Sequence, residues 1–129
     1  MRRALADAGV EPEEVDYVNA HATATEQGDV AECAAVRRVF GNEVRVSSLK
    51  GHLGHTMAAS GALELIATVW MMRQGYVIPT LNLDTIDPAC KQVRHVRTME
   101  KARVATSIKN NFAFGGVNSS IVLRRCEDD

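Results

Sequence analysis

Val44-Arg45-Val46-Ser47-Ser48-Leu49-Lys50-Gly51-His52-Leu53-Gly54-His55 decides how the rest of this chain is read. A short β-prone run from Val44 to Ser47 passes into a glycine-flanked polar loop, and a long apolar segment ending at Arg73 opens at His55. The pattern predicts a strand-to-helix junction carrying one cation and two imidazoles. A group at such a junction meets the free N–H groups and positive end of a helix, which favour developing negative charge and keep an imidazole neutral. The competing reading is a surface loop with two solvated histidines.

Upstream of the junction, Gly28 to Phe40 has Val30, Cys33, Val36 and Phe40 at helical spacing, Asp29 and Glu32 in the first turn, Arg37 and Arg38 in the last, and Gly41 beyond. Before it come a strand at Val15 to Asn19 and a polar loop of small residues, His21 to Asp29. The chain opens with a helix from Met1 to Ala8, stopped by Gly9 and followed by Pro12. Downstream, the helix from His55 to Arg73 is apolar on all sides, which marks a helix covered from several directions. Its first half, Ala58 to Ala62, is built of small residues, so tertiary contacts must hold it. Gly75 ends it, Tyr76 to Leu83 is extended around Pro79, and Asp87-Pro88 is a turn. Val93 to Thr98, Val104 to Ile108 and Ser119 to Arg125 are predicted strands, the last two flanking a loop from Lys109 to Asn118 with two aromatics and paired glycines.

Alternating strands and helices followed by terminal strands imply an α/β fold with a mixed sheet of about five strands and helices packed on it. His21 and Lys50 both follow early strands at their C-terminal ends, where open α/β sheets place ligands. Three segments distant in sequence are thereby brought toward one cleft.

Composition limits the alternatives. The 129 residues fit one domain, 46% hydrophobic content supplies a core, and a net charge of −1 gives no indication of nucleic acid or an anionic membrane as partner. Three irregularly spaced cysteines suit a reduced cytoplasmic protein better than a disulfide framework. No signal peptide opens the chain, and Ser60, Gly61 and Glu64 interrupt the longest apolar run, which reads as a buried helix and not as a membrane span. His52-x-x-His55 lacks the paired cysteines and full ligand set of a zinc site, and Gly115-Gly116 lacks the spacing of a phosphate loop; neither metal nor cofactor is called for. His95, between Val93 and Val96, is predicted on a strand surface, and Trp70 with Met71-Met72 as core or interface packing.

Three motifs in order carry a resemblance: Val18-Asn19-Ala20-His21-Ala22-Thr23-Ala24-Thr25 with Gly28-Asp29; Ser48-Leu49-Lys50 with Gly54-His55; and Asn111-Phe112-Ala113-Phe114-Gly115-Gly116-Val117-Asn118. Together with Glu64 they resemble the C-terminal half of an elongating β-ketoacyl-acyl carrier protein synthase, over nearly the whole chain. The resemblance implies a thiolase-like fold spanning residues 1–125, truncated on its N-terminal side, with an acidic tail at 126–129, an incomplete sheet and an uncovered apolar face. It also implies decarboxylative Claisen condensation of a malonyl-acyl carrier protein with an acyl group on an enzyme cysteine. His21 and His55 are then the neutral catalytic histidines, with Lys50 as electrostatic support. Asp29, Glu32 and Glu64 form a buried polar network around them. Phe114 is the gate before the nucleophile, and its N–H is part of the oxyanion hole. Thr23, Thr25, Phe112 and Gly115 line the substrate pocket. Implied partners are acyl carrier protein with its acyl and malonyl thioesters, the missing N-terminal half, and a second subunit in a homo- or heterodimer.

The nucleophile belongs to a Thr-Ala-Cys type turn in that family, and Cys33, Cys90 and Cys126 stand in no such context. The chain is expected to hold the acid-base and oxyanion groups without the cysteine they serve, and to be inactive alone. Ala22 and Ala113 stand where glycine is usual, at a cost on the order of 1 to 2 kcal/mol wherever the backbone is left-handed. Val117 replaces a usual threonine. A degradative thiolase is disfavoured because Cys126-Glu127-Asp128 is not a Cys-x-Gly motif. The rivals are a non-catalytic, chain-length-factor-like partner subunit and an inactive fragment or plain interaction module.

Overall fold

The computed structural model describes residues 1–126. The acidic residues Glu127 to Asp129 of the expected tail lie outside the described residues. Helix α1, Arg2–Ala8, ends at Gly9 with φ 60°, and a short 3-10 turn at Pro12–Glu14 leads into strand β1, Tyr17–Asn19. Helix α2, Glu26–Phe40, and strand β2, Arg45–Ser47, follow. A four-residue helix α3, Lys50–Leu53, precedes helix α4, Ser60–Gln74, which Gly75 caps in the left-handed conformation. Five further strands complete the chain: β3, Tyr76–Val77; β4, Arg94–His95; β5, Glu100–Lys101; β6, Thr106–Phe112; and β7, Asn118–Arg124.

The main sheet has the order β4-β2-β1-β6-β7, with β3 and β5 in a separate two-stranded ribbon. β4, β2, β1 and β6 run parallel, and β7 returns antiparallel to β6, which is the mixed five-stranded α/β sheet expected. In register across the three central strands lie Val46, Val18 and Ile108, and one residue further on Ser47, Asn19 and Lys109. Successive side chains point to opposite faces. The first row joins Leu5, Cys33 and Val36 in a core under α1 and α2; the second, polar row turns to the other face, toward α4. A second core of Tyr17, Leu49, Met71, Met72, Val77 and Val104 surrounds that polar row. Asn19 donates to Thr68 Oγ1 at 2.8 Å, and Ser47 accepts from the Tyr17 hydroxyl at 2.8 Å while donating to the Ile78 carbonyl; Asn19 Oδ1 is buried with no partner among the described residues.

Several boundaries differ from expectation. The predicted helix from His55 to Arg73 begins at Ser60, because Gly54 (φ 75°) and Met57 (φ 52°) both leave helical space; His55 therefore lies in a loop between two helices and not at a helix N-terminus. Lys50, expected in a loop, sits on α3. The predicted loop from Lys109 to Asn118 begins later, because β6 runs on to Phe112 paired with β7 through Phe112–Asn118. Lys, Asn and Asn are weak strand formers, and fixed partners for their side chains on both faces outweigh that preference. The opposite side of α4 is unpaired: Leu63, Ile66, Val69 and Trp70 are exposed. Met71 and Met72 are core, as expected, but Trp70 is not buried within this chain.

The two glycine-to-alanine departures part company. Ala113 is extended at φ −124°, an ordinary alanine conformation, whereas Ala22 is held at φ 29° in the left-handed half of backbone space. Ala22→Gly is expected to stabilise the protein by about 1 kcal/mol, net of the greater entropy glycine brings to the unfolded chain, in urea unfolding with an unchanged slope; Ala113→Gly is expected to give no gain.

Candidate active site

The C-terminal ends of β1, β2 and β6 deliver the site, each parallel strand contributing one segment at the same edge of the sheet. From β1 the chain enters the His21 loop, which is tied down by one carboxylate: Glu32 of α2 accepts the N–H groups of His21 at 3.0 Å and of Ala22 at 2.8 Å. Asn110 of β6 donates to the same Glu32 at 3.2 Å. From β2, Ser48 donates to the Ala22 carbonyl at 3.3 Å and accepts the Lys50 N–H, so one hydroxyl fastens the histidine loop to the lysine turn.

The rings of His21 and His55 stand edge to face with centroids 5.8 Å apart, and the Phe112 ring lies 5.8 Å from His21 on another side. His55 Nδ1 accepts the Met57 N–H at 3.1 Å. A neutral imidazole that accepts at Nδ1 carries its proton on Nε2, so His55 presents a donor. The left-handed turn at Met57 aims that N–H. His21 Nδ1 is buried and has no partner among the described residues. Burial, then the ammonium groups of Lys50 and Lys109, lower the His21 pKa from 6.5 to about 4, so it is neutral at physiological pH.

On the α4 side of the sheet lies a buried ionic group. Lys50 Nζ meets Glu64 Oε1 at 2.7 Å, and Lys109 Nζ meets Glu64 Oε2 at 2.6 Å. Glu32 is on the other face, so the single polar network expected from Asp29, Glu32 and Glu64 is two clusters, bridged where Lys109 and Asn110 alternate along β6. Burial raises the pKa of Glu32 against the hydrogen bonds it accepts, and raises that of Asp29 against the amides of residues 23–25.

A cavity of about 540 Å³ opens beside His55 and Lys50, walled by Thr23, Thr25, α2 and the 80–87 segment. Of the expected lining, Thr23 and Thr25 border it; Phe112 stands against His21 instead, and Gly115 is not on its wall. Phe114 is fully exposed, in the 3-10 turn between β6 and β7, and touches neither histidine ring. His52 donates to the Pro79 carbonyl at 2.9 Å and is outside the cluster, and His95, half-buried, donates to the Cys90 carbonyl. Cys33 and Cys90 are buried and Cys126 is exposed; burial pushes the Cys33 thiol well up, away from a reactive thiolate. The sequence assigned no role to Lys109, Asn110, Ser48 or Asn19. The available signal was the alternation of Ser107, Lys109 and Asn111 continuing the strand period beyond Ile108.

Neutral imidazoles side by side, one with its donor assigned, against a buried lysine-carboxylate cluster at the ligand edge of a mixed sheet define a site built to meet negative charge. The family model "Beta-ketoacyl synthase, C-terminal domain" matches residues 1–84, and the chain belongs to this family. It is 43% identical over 121 residues to 3-oxoacyl-[acyl-carrier-protein] synthase I, chloroplastic, of Hordeum vulgare, an alignment covering 92% of this chain and 26% of that protein. Among solved structures it superposes on a β-ketoacyl synthase from Burkholderia phymatum with a TM-score of 0.96 at 44% identity, covering 98% of this chain and 31% of that one. It also superposes, with a TM-score of 0.92 at 33% identity, on a structure of a type II polyketide acyl-carrier protein in complex with its ketosynthase bound to the hexaketide, covering 98% of this chain and 32% of that one. The chain thus spans about a quarter to a third of the length of these relatives. Among the described residues, no helix is long and apolar enough to cross a membrane.

The low pKa of His21 fixes a sign. Between its ordinary 6.5 and about 4, the unfolded chain binds more protons than the folded one, so His21 makes stability fall as pH drops through that window. His21→Gln is expected to flatten this slope in urea unfolding across the acid range and to leave stability near pH 8 comparatively unchanged.

Proposed function

We propose that this chain is the histidine-bearing part of a condensing enzyme that carries out decarboxylative Claisen condensation between malonyl-acyl carrier protein and an enzyme-bound acyl group, in fatty-acid or polyketide biosynthesis. The observation that carries the reading is the pair His21 and His55, neutral and with a free donor on His55 Nε2, beside the buried Lys50–Glu64 pair.

The chemistry follows from charge. Loss of carbon dioxide from a malonyl thioester leaves an enolate whose negative oxygen needs preorganised donors in a site poor in water, and each such donor is worth about 2.7–4 kcal/mol of transition-state stabilisation. His55 donates from Nε2; His21, kept neutral, serves as its neighbour on the same oxygen. Lys50 fixes the site electrostatically through Glu64, and Glu32 holds the His21 backbone in place. Asp29 supports the turn at residues 23–25, which presents Thr23 and Thr25 to the cavity. Phe114 and its N–H are assigned the gate and one oxyanion contact; its freedom from packing supports a part that moves or meets a partner. The reading places the nucleophilic cysteine outside this chain, since Cys33 and Cys90 are buried and Cys126 is remote from the three motifs.

The exposed face of α4 and the short span of this chain against its relatives support a missing N-terminal half as one partner, with residues 1–125 as its C-terminal companion. Acyl carrier protein as a further partner, and assembly as a homo- or heterodimer, are supported by the relative solved with its carrier protein. A cytoplasmic setting rests on cysteine usage alone.

In the whole protein, His21→Ala and His55→Ala are each expected to slow carbon dioxide release from malonyl-acyl carrier protein by about 10²–10³-fold, measured with labelled malonyl groups. Unchanged rates in both variants, or a glutamine where the upstream nucleophile belongs, would overturn the catalytic reading in favour of a non-catalytic partner subunit.

A further inference from the structure

Lys109 is wholly buried, belongs to none of the three motifs, and faces the same carboxylate as Lys50. Its ammonium forms an ion pair with Glu64 Oε2 at 2.6 Å and donates to Asn111 Oδ1 at 3.2 Å and to the Asn110 carbonyl. Asn111 in turn packs close against Gly61, where a Cβ would come within 3.2 Å of its amide nitrogen. A buried ion with this many dedicated contacts is costly to keep, and replacing a whole buried pair or triad with apolar side chains is often neutral or stabilising.

We propose that Lys109, in register with Asn19 two residues before His21, is a positioning residue of the histidine site: it takes the second oxygen of Glu64, turns the Lys50–Glu64 pair into a buried triad with one ammonium in excess, and so adds to burial and Lys50 in keeping His21 a neutral imidazole. Without Lys109, Glu64 would offer an unoccupied anionic oxygen, and a carboxylate near His21 favours the imidazolium. With it, that oxygen is occupied and a second cation opposes protonation. The charged and titratable groups facing His21 are accounted for element by element: Lys50 from α3, Lys109 from β6, Glu64 from α4, His55 from the loop between them, and Glu32 and Asp29 from α2. Glu32 touches the His21 backbone and not its ring, and burial holds its pKa up. Only Glu64 is a carboxylate acting on the ring, and both of its oxygens are taken by ammonium groups.

This inference rests on the reading of His21 as a neutral donor, and its test is independent of turnover. In the whole protein labelled with ¹³C in its histidine rings, the His21 resonance, assigned by its loss in His21→Gln, is titrated in wild type, Lys109→Met, Lys109→Gln and Lys109→Arg. The two neutral variants are expected to raise the His21 midpoint by on the order of 0.5–1 pH unit, and Lys109→Arg to keep it low. An unchanged midpoint in a folded neutral variant overturns the proposal. So does failure of both neutral variants to fold, which would make Lys109 a structural ion. A null result in condensation assays with the midpoint shifted as expected would sink the condensing reading and leave this one intact; the reverse pair of results would do the opposite.

Discussion

Glu64 lies 1% exposed inside the protein with an ammonium group on each of its carboxylate oxygens, and the placement of the site follows from that arrangement. Such a group is stable only while a cation stays beside it, because a carboxylate buried alone is an uncompensated charge at a cost of about 3–5 kcal/mol. Lys50 is itself buried against Glu64, and the turn that carries it is fastened through Ser48 to the Ala22 carbonyl of the His21 loop. Helix α4 supplies the carboxylate from the middle of its buried face, next to Thr68, which Asn19 of the central strand holds. The ion cluster ties helix α4 to β6 and to the turn after β2, and the Asn19–Thr68 hydrogen bond adds β1.

The two-residue period of the sheet distributes the rest. Along β6, Lys109 turns to α4 and meets Glu64, and Asn110 turns to α2 and meets Glu32. The two carboxylates lie on opposite faces of the sheet. Each nevertheless constrains the same histidine loop, Glu32 by accepting backbone N–H groups and Glu64 by neutralising the cations that surround the ring. A sheet carrying polar partners on both faces at one edge, and apolar rows further in, gives a rigid base to a site that is itself open: His55 and Phe114 are exposed.

Helix α4 is divided in the same way. The side bearing Glu64, Thr68 and Met71 is buried against the sheet, while Leu63, Ile66, Val69 and Trp70 face outward. Its sequence is apolar all round, which signals burial on both sides, and only one of those sides is covered within these residues. The relatives, three to four times longer than this chain, place the same fold within a larger body.

By itself the sequence determined the α/β class, the order of the major elements and the stops at Gly9 and Gly75, because each is written in local period or cap; His21, Lys50, His55 and Glu64 it offered as candidates through motif resemblance. Tertiary structure decided where those patterns were overridden. β6 continues through Lys109, Asn110 and Asn111 against their propensity because partners on both faces satisfy them. His55 falls outside the helix it was expected to begin because the backbone turns left-handed at Met57. Lys109 joins Glu64 across 45 positions of chain, a distance over which no local pattern reports; burial and charge balance exist only once the strands and α4 have met.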